Sequence, residues 1–321
     1  MTLTSLSAGP HRRGLVLGAG GVLGAAWTIG ALAALSEAYA WDPREADVLV
    51  GTSAGSVLAA SLGAGIAVGD LLDHQRGIPV PGIEFDHDAQ SALPPFPRPG
   101  IGSPRGLVST ARRPFHVTPM MALTTVLPRG RGSIAPVGQL VDAVVPDGGW
   151  APHPRTWVVA MDYDSGRRVT FGRPGAPPAA LRDAVMASCS IPGWYAPVRI
   201  GSRCYVDGGA CSPTSADLVA PLGLDEVVVL SPMTSLEYDR PSSVAARLER
   251  RFRRLITRRV LAEVRKVEAT GTKVTLLGPG AEDLAAIGAN LMDPRRRERV
   301  LETSLRTSRA ALRAPSLPRA S

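Results

Sequence analysis

Short apolar runs alternate with helical stretches along the first sixty residues of the chain. Residues 15–17 form an apolar run that ends in glycines, as buried parallel strands often do. A predicted helix over residues 24–39 follows, and a second apolar run at 48–50 leads into another alanine-rich helical stretch. Because parallel strands need crossover connections, this alternation predicts a mostly parallel central sheet with helices on both faces. The predicted fold class is therefore three-layer α/β.

The pattern continues after a long interruption. Residues 157–161 and 168–171 predict a hairpin, and further short strands are expected at 204–206, 226–230 and 274–277. Between about residues 77 and 119 the run of prolines is unfavourable for a helix or a central strand, which predicts a surface excursion. That excursion either covers a site or is a floppy insertion. We expect a flexible tail at 1–13, one α/β domain at 14–280 that contains the excursion, and a helical segment with a disordered tail at 281–321.

Composition bears on whether this domain is globular and on where in the cell it is expected. With 321 residues and 45% hydrophobic side chains, the chain is long enough to bury a core. Its three cysteines, Cys189, Cys204 and Cys211, show no CxxC spacing, which favours a reduced, cytoplasmic location. Residues 14–36 carry no charge and imitate a membrane span or signal peptide, but six glycines within them favour a strand, a glycine loop and a buried helix.

The chain is basic, with a net charge of +8 that comes almost entirely from arginine. Residues 247–265 combine arginines with an apolar stripe at helical spacing. This helix is either a solvated one docked on the body or a peripheral contact with an anionic membrane. Aromatic residues make up only 5% of the chain and no nucleic-acid-binding motif is present, so no nucleic-acid partner is expected.

Two glycine motifs could carry chemistry. Gly51-Thr52-Ser53-Ala54-Gly55 matches G-x-S-x-G directly after a predicted strand, where a tight turn would project the serine hydroxyl from the sheet edge. The earlier loop, residues 18–24, satisfies only two of the three glycines of a dinucleotide fingerprint in either register. Its backbone amides could equally form a nest for an oxyanion. Both interpretations of this loop stay open on the residues alone.

The third motif is Asp207-Gly208-Gly209, which follows a predicted strand and by itself also fits a plain turn. The five histidines are His11, His74, His87, His116 and His153, so no histidine lies late enough for the Ser, Asp, His order of an α/β-hydrolase. Three of them, at 74, 87 and 116, lie in or beside the excursion and are expected at the surface. A serine nucleophile in this chain would then need a carboxylate base.

In their order along the chain, the glycine loop, G-x-S-x-G and Asp-Gly-Gly resemble the patatin-like phospholipase family. The segments 187–192 and 195–198 are similar to the family's helix and proline stretch before the aspartate strand. The resemblance implies a lipid acyl hydrolase, of phospholipase A or lysophospholipase type, in which Ser53 is the nucleophile and Asp207 the base. The backbone amides around Gly20, Gly21 and Val22 would form the oxyanion hole, while Gly51, Gly55, Gly208 and Gly209 support the motifs around Ser53 and Asp207. It implies a phospholipid or other acyl-ester lipid as substrate, and neither metal nor cofactor.

Two positions depart from the family's loop, which usually reads Gly-Gly-Gly-x-Arg/Lys-Gly. Here Ala19 replaces the first of those glycines and Leu23 replaces the basic residue. Alanine could strain a position that needs positive φ, and the missing base removes a charge beside the anion site. These departures leave open a catalytically impaired lipid-binding protein of the same fold. A less favoured alternative is a dinucleotide-binding oxidoreductase that would use the glycine loop, with Glu37 as its ribose-binding acid.

Overall fold

The computed structural model describes residues 11–81, 102–112, 119–145, 148–237, 239, 241 and 243–313. Its strands are β1 (Arg13–Leu17), β2 (Val48–Thr52), β3 (Thr156–Asp162), β4 (Arg168–Phe171), β5 (Val198–Ile200), β6 (Arg203–Asp207), β7 (Glu226–Leu230) and β8 (Lys273–Leu277). The helices are α1 (Gly21–Tyr39), α2 (Ala54–Gly63), α3 (Val68–Gln75), α4 (Pro104–Arg112), α5 (Pro119–Val126), α6 (Ala135–Val144), α7 (Leu181–Cys189), α8 (Val244–Glu268), α9 (Ala281–Ile287) and α10 (Arg297–Arg313).

All eight strands belong to one sheet, in the order β5-β6-β3-β2-β1-β7-β8, with β4 paired to β3. The strands β3, β2, β1, β7 and β8 run parallel to one another. The remaining strands are antiparallel to their neighbours. The prediction of a mostly parallel central sheet is confirmed.

Helices cover both faces of this sheet because successive side chains of a buried strand point to opposite sides. Leu15 and Leu17 of β1 lie in a core cluster with residues of α1 and α10, such as Trp27 and Leu301. Val16, between them, lies in a second cluster that includes residues of α8. The three layers of the predicted α/β fold are therefore α1 with α10, the sheet, and α8.

Helix α1 contains most of the uncharged segment, residues 14–36, that imitates a membrane span. By length and composition it could cross a bilayer, but 67% of its apolar window is buried inside the protein. Its Gly30 allows close packing with α10, since a Cβ there would lie 2.8 Å from the backbone oxygen of Leu301. The prediction of a buried helix at this position is confirmed.

Two sequence predictions were wrong in part. Arg13, expected in a loose tail, lies in β1 and forms an ion pair with Glu226 at 2.9 Å. The excursion contains helix α4, where Ser103 accepts a hydrogen bond from the Gly106 amide at 2.9 Å and Pro104 occupies the first helical position. Proline at that position costs no helical hydrogen bond. Within the ranges predicted as irregular, residues 1–10, 82–101, 113–118 and 314–321 lie outside the described part.

Candidate active site

The topology brings Ser53 and Asp207 together through strand β3. Residue Thr52 pairs with Val159 of β3, and Asp207 pairs with the next residue, Ala160. Strand β4 pairs with residues 158–161 of β3, which include residues that pair with β2 and residues that pair with β6. Because one edge of a strand can pair with only one partner at a given residue, β4 lies on the opposite edge of β3 from β2 and β6. Strands β2 and β6 therefore share one edge of β3, end to end. Ser53, which follows Thr52, meets Asp207 at this junction although 154 positions separate them in the chain.

Ser53 lies in a strained turn between β2 and α2. Its backbone has φ 54° and ψ −127°, a conformation that non-glycine residues rarely adopt and that is frequent at functional sites. The flanking glycines make room for this turn. A Cβ at Gly51 would lie 2.4 Å from the backbone oxygen of Gly55, and a Cβ at Gly55 would lie 2.1 Å from that of Leu17. The G-x-S-x-G pattern is thus required sterically.

Asp207 is almost completely buried, and its Oδ1 accepts a hydrogen bond from the Gly209 amide at 2.7 Å. The Ser53 side chain lies beside the carboxyl group. Burial raises the pKa of Asp207 to about 6, although its interactions with Ser53 and the Gly209 amide act to lower it. Next to it, a Cβ at Gly208 would lie 2.4 Å from the backbone oxygen of Val159, so this position also requires glycine. The carboxyl group is therefore placed to accept the serine proton.

The end of helix α7 holds both residues in place, which sequence reasoning missed. The Ser53 amide donates to Ser188 Oγ at 2.8 Å, and Ser188 Oγ donates in turn to the Val159 carbonyl at 2.6 Å. The Asp207 amide donates to the Ser190 carbonyl at 2.9 Å. A signal was present in the run Ser188-Cys189-Ser190, two small polar residues around a cysteine at the end of a helix. Ser188 and Ser190 are thus positioning residues for the pair.

The glycine loop offers backbone amides beside Ser53. The amides of Gly18, Ala19, Leu23 and Gly24 donate to backbone oxygens of the protein. Within the described residues, the amides of Gly20, Gly21 and Val22 have no such acceptor. Gly21 and Val22 line the same cavity as Ser53, at the N-terminus of α1, where the helix dipole favours negative charge. These amides can receive an anion without first breaking a bond of the protein.

The two departures from the family's loop have structural explanations. Ala19 is absent from the described non-glycine residues with positive φ, so the expected strain at this position is wrong. It is buried and contacts the Asp-Gly-Gly turn, since a Cβ at Gly209 would lie 3.3 Å from the Ala19 Cβ. Leu23 is fully buried in the core cluster of α1. The side chain at position 23 therefore contributes to the core, where a buried basic residue would lower the stability of the fold.

An apolar cavity of about 110 Å³ adjoins Ser53. Its walls include Ile29 of α1, Leu58 of α2 and Val137 of α6, and helix α3 closes it with Leu71, His74 and Gln75. The sequence expectation that His74 lies at the surface is wrong, because it is half-buried in this wall. Burial, and secondarily the charge of Arg297, lowers the pKa of His74. His87 and His116 lie outside the described residues.

Other candidate chemistry near the site is weaker. Cys189 also lines the cavity, but burial, and then the neighbouring Asp207, raises the pKa of its thiol, which stays protonated. In the described part, no group of three or more potential metal ligands comes together. Glu37, the suggested ribose-binding acid, lies about 24 Å along α1 from Gly21 and pairs with Arg309 at 2.5 Å. A dinucleotide in the glycine loop would not reach it.

The chain matches both a solved structure and a protein family model. The chain is similar in structure to VipD from Legionella pneumophila, with 14% sequence identity, a TM-score of 0.43, and 94% of this chain and 67% of that chain covered. The family model for patatin-like phospholipases matches residues 15–220, which include the glycine loop, Ser53 and Asp207. Because the match extends over more than half of the chain, this protein belongs to the patatin-like phospholipase family.

Proposed function

We propose that this protein hydrolyses fatty acyl esters of phospholipids or related lipids by means of a Ser53–Asp207 dyad. Family membership supports lipid acyl hydrolysis in general. The observation that carries the finer proposal is the placement of the Ser53 side chain beside the buried Asp207 carboxyl group, next to an apolar cavity that Ser53 lines. The proposed partner is thus an acyl-ester lipid.

The geometry supports an acyl-enzyme mechanism. Ser53 Oγ attacks the ester carbonyl carbon while Asp207 accepts the hydroxyl proton. The charge that develops on the carbonyl oxygen is stabilised by the free amides of the Gly20–Val22 loop, each worth on the order of 3 kcal/mol. Asp207 then protonates the departing alcohol. In the second half, water attacks the acyl-Ser53 ester, Asp207 takes the proton from that water, and the fatty acid leaves as Ser53 regains its hydrogen.

The alternative is a lipid-binding protein of the same fold whose glycine loop no longer supports catalysis. Leu23 in place of a basic residue is the feature that favours it, because it removes a positive charge near the anion site. The juxtaposition of Ser53 with the buried Asp207 and the free loop amides favour the enzyme. Covalent labelling of the serine separates the two.

We expect a fluorophosphonate probe to label the folded protein at Ser53 and to leave Ser53→Ala unlabelled. The probe reacts with a serine hydroxyl only when a base and an oxyanion site activate it. Ser61→Ala is the matched control, since Ser61 lines the same cavity but its hydroxyl donates to the Val57 carbonyl. Labelling is measured by gel fluorescence and mapped by mass spectrometry. A wild-type protein that folds and takes no label would favour the lipid-binding alternative.

The pH dependence should follow the titration of Asp207. Because the base must be ionised to accept the serine proton, we expect kcat/KM for a soluble ester to rise with pH through about 6 and then to level off. His74 also lines the cavity, and burial lowers its pKa, so its contribution has to be separated from that of Asp207. The profile is therefore also measured on His74→Gln. The same midpoint in this variant assigns the titration to Asp207, and a lost midpoint assigns it to His74.

A further inference from the structure

The first half of helix α8 exposes a line of apolar side chains. Val244 is 79% exposed, Leu248 68%, Leu255 62% and Phe252 43%. Their spacing in the helix places all four on one face. Single exposed apolar residues are ordinary on protein surfaces, whereas a contiguous apolar face indicates a binding surface. We call these four residues the α8 stripe.

The stripe lies at the same edge of the sheet as Ser53. Helix α8 connects the carboxyl end of β7 to the amino end of β8, and β7 is parallel to β1 and β2. Its 25 residues span about 37 Å, whereas the five residues of β7 span about 17 Å. Only its second half, with Val260, Val264 and Val267, is buried against the sheet. The first half therefore projects beyond the carboxyl edge, where β1 and β2 lead into the glycine loop and Ser53.

Polar anchors hold this projecting half to the body of the protein. On the face opposite the stripe, buried Arg253 donates to the Pro232 carbonyl at 2.7 Å, and Thr257 accepts a hydrogen bond from the Ser235 amide at 2.9 Å. Pro232 in turn packs on the glycine loop, where a Cβ at Gly20 would lie 2.6 Å from its ring. The stripe is thus held in a set orientation relative to the loop amides beside Ser53.

The charge around the stripe is strongly positive. Residues 244–259 contain seven arginines and a single acid, Glu249, which already pairs with the buried Arg250 and Arg253. Arg247, Arg251 and Arg258 are exposed next to the stripe on the helix surface. An apolar face bordered by arginines is complementary to an anionic bilayer, whose phosphates attract the guanidinium groups while apolar side chains enter the acyl boundary.

We propose that the α8 stripe and its arginines dock the protein on anionic lipid bilayers. This docking turns the carboxyl edge of the sheet, where Ser53 lies, toward the membrane. Only the biological reason for docking, access of Ser53 to lipid esters, rests on the proposed function. The binding to the bilayer itself requires no hydrolysis.

Vesicle sedimentation with the full chain carrying Ser53→Ala tests the proposal. Vesicles of phosphatidylcholine with phosphatidylglycerol are compared with vesicles of phosphatidylcholine alone. We expect binding to the anionic vesicles to weaken about thirtyfold in Arg247→Gln/Arg251→Gln, because two charges are removed from the surface. Leu248→Ser/Phe252→Ser should weaken it at least tenfold. Leu261→Ser is the matched control, since this leucine is 38% exposed on the half of α8 that covers the sheet.

Salt is the second test, because screening shortens electrostatic reach from about 10 Å at 0.1 M to about 3 Å at 1 M. Binding that falls with salt supports the proposal. Binding that is equal on neutral vesicles, or unchanged in both double variants, overturns it. Dimers that dissociate in Leu248→Ser/Phe252→Ser without any vesicle binding also overturn it and assign the stripe to a second copy of the chain. Hydrolysis of a water-soluble ester by the wild type, measured separately, tests the proposed function without vesicles.

Discussion

Asp207→Asn is expected to lose ester hydrolysis by about a thousandfold while making the fold more stable at neutral pH. The loss follows because an amide cannot accept the proton of Ser53, and a general base contributes roughly a hundred- to ten-thousandfold. The gain follows from burial, which raises the pKa of Asp207 to about 6. Asparagine keeps the shape and can still accept the Gly209 hydrogen bond.

The sign of the stability change comes from proton linkage. With its pKa raised in the folded state, Asp207 binds its proton more tightly there than in the unfolded chain, so stability falls as pH rises from about 4 to about 6. Above that range the ionised carboxylate destabilises the fold by an amount on the order of 3 kcal/mol. In Asp207→Asn this pH dependence should disappear. Urea unfolding at pH 4.5 and pH 7.5 measures it.

Asp217→Asn provides a control of opposite sign. Burial would raise the pKa of Asp217, but two hydrogen bonds from Arg168, at 2.6 and 2.8 Å, and its charge leave that pKa lowered. Removing this partly buried ion pair should destabilise the fold and leave hydrolysis intact. If Asp207→Asn unfolds more easily than the wild type at pH 7.5, or keeps its activity, the role assigned to Asp207 is wrong.

Gly55→Ala is expected to destabilise the protein by about 3 kcal/mol or more. The added Cβ would lie 2.1 Å from the backbone oxygen of Leu17 and 2.4 Å from its carbonyl carbon. Strand β1 cannot retreat, because it pairs with β2 on one side and β7 on the other. Helix α2 must therefore shift, which breaks core packing and moves Ser53. We expect a fall in Tm of about 10 °C, together with loss of serine labelling.

Gly69→Ala is the control for this substitution. Gly69 lies in helix α3 with nothing within 4 Å of a built Cβ and without a positive φ. Alanine at a helical position of this kind should leave Tm unchanged or raise it slightly, since it restricts the unfolded chain. An unchanged Tm for Gly55→Ala would show that α2 does not approach β1 closely enough for the added Cβ to clash.

Local signals were enough to predict the sheet and the motifs around the site. The run before Gly51 and the turn after it follow one another in the chain, so strand β2, the serine turn and helix α2 could be inferred from a dozen residues. The motif at Asp207 was weak alone, and its meaning came from its order relative to Ser53 in a known family. The order of the motifs along the chain thus identified Asp207 as the partner of Ser53, although the sequence alone gives no distance between the two side chains.

Features that depend on packing between distant segments could not be predicted. Ser188 contacts the Ser53 amide from 135 positions away, and only the register of β3 and the end of α7 bring them together. The prolines that follow His74 in the chain predict a surface position, whereas α3 places it in the cavity wall with residues of α1 and α2. Ser103-Pro104 is a helix-start signal for α4, but it directly follows a proline-rich run that predicts irregular structure.

The end-to-end arrangement of β2 and β6 on one edge of β3 has a consequence for how such a protein can diversify. Of the described residues between 76 and 154, none belongs to the strand pairings that set Ser53 against Asp207. They contribute helices, among them α6, which lines the cavity with Val137. Insertions and replacements there can reshape this cavity while the Ser53–Asp207 pair stays in place. Substrate choice and bond cleavage can therefore evolve independently in this fold.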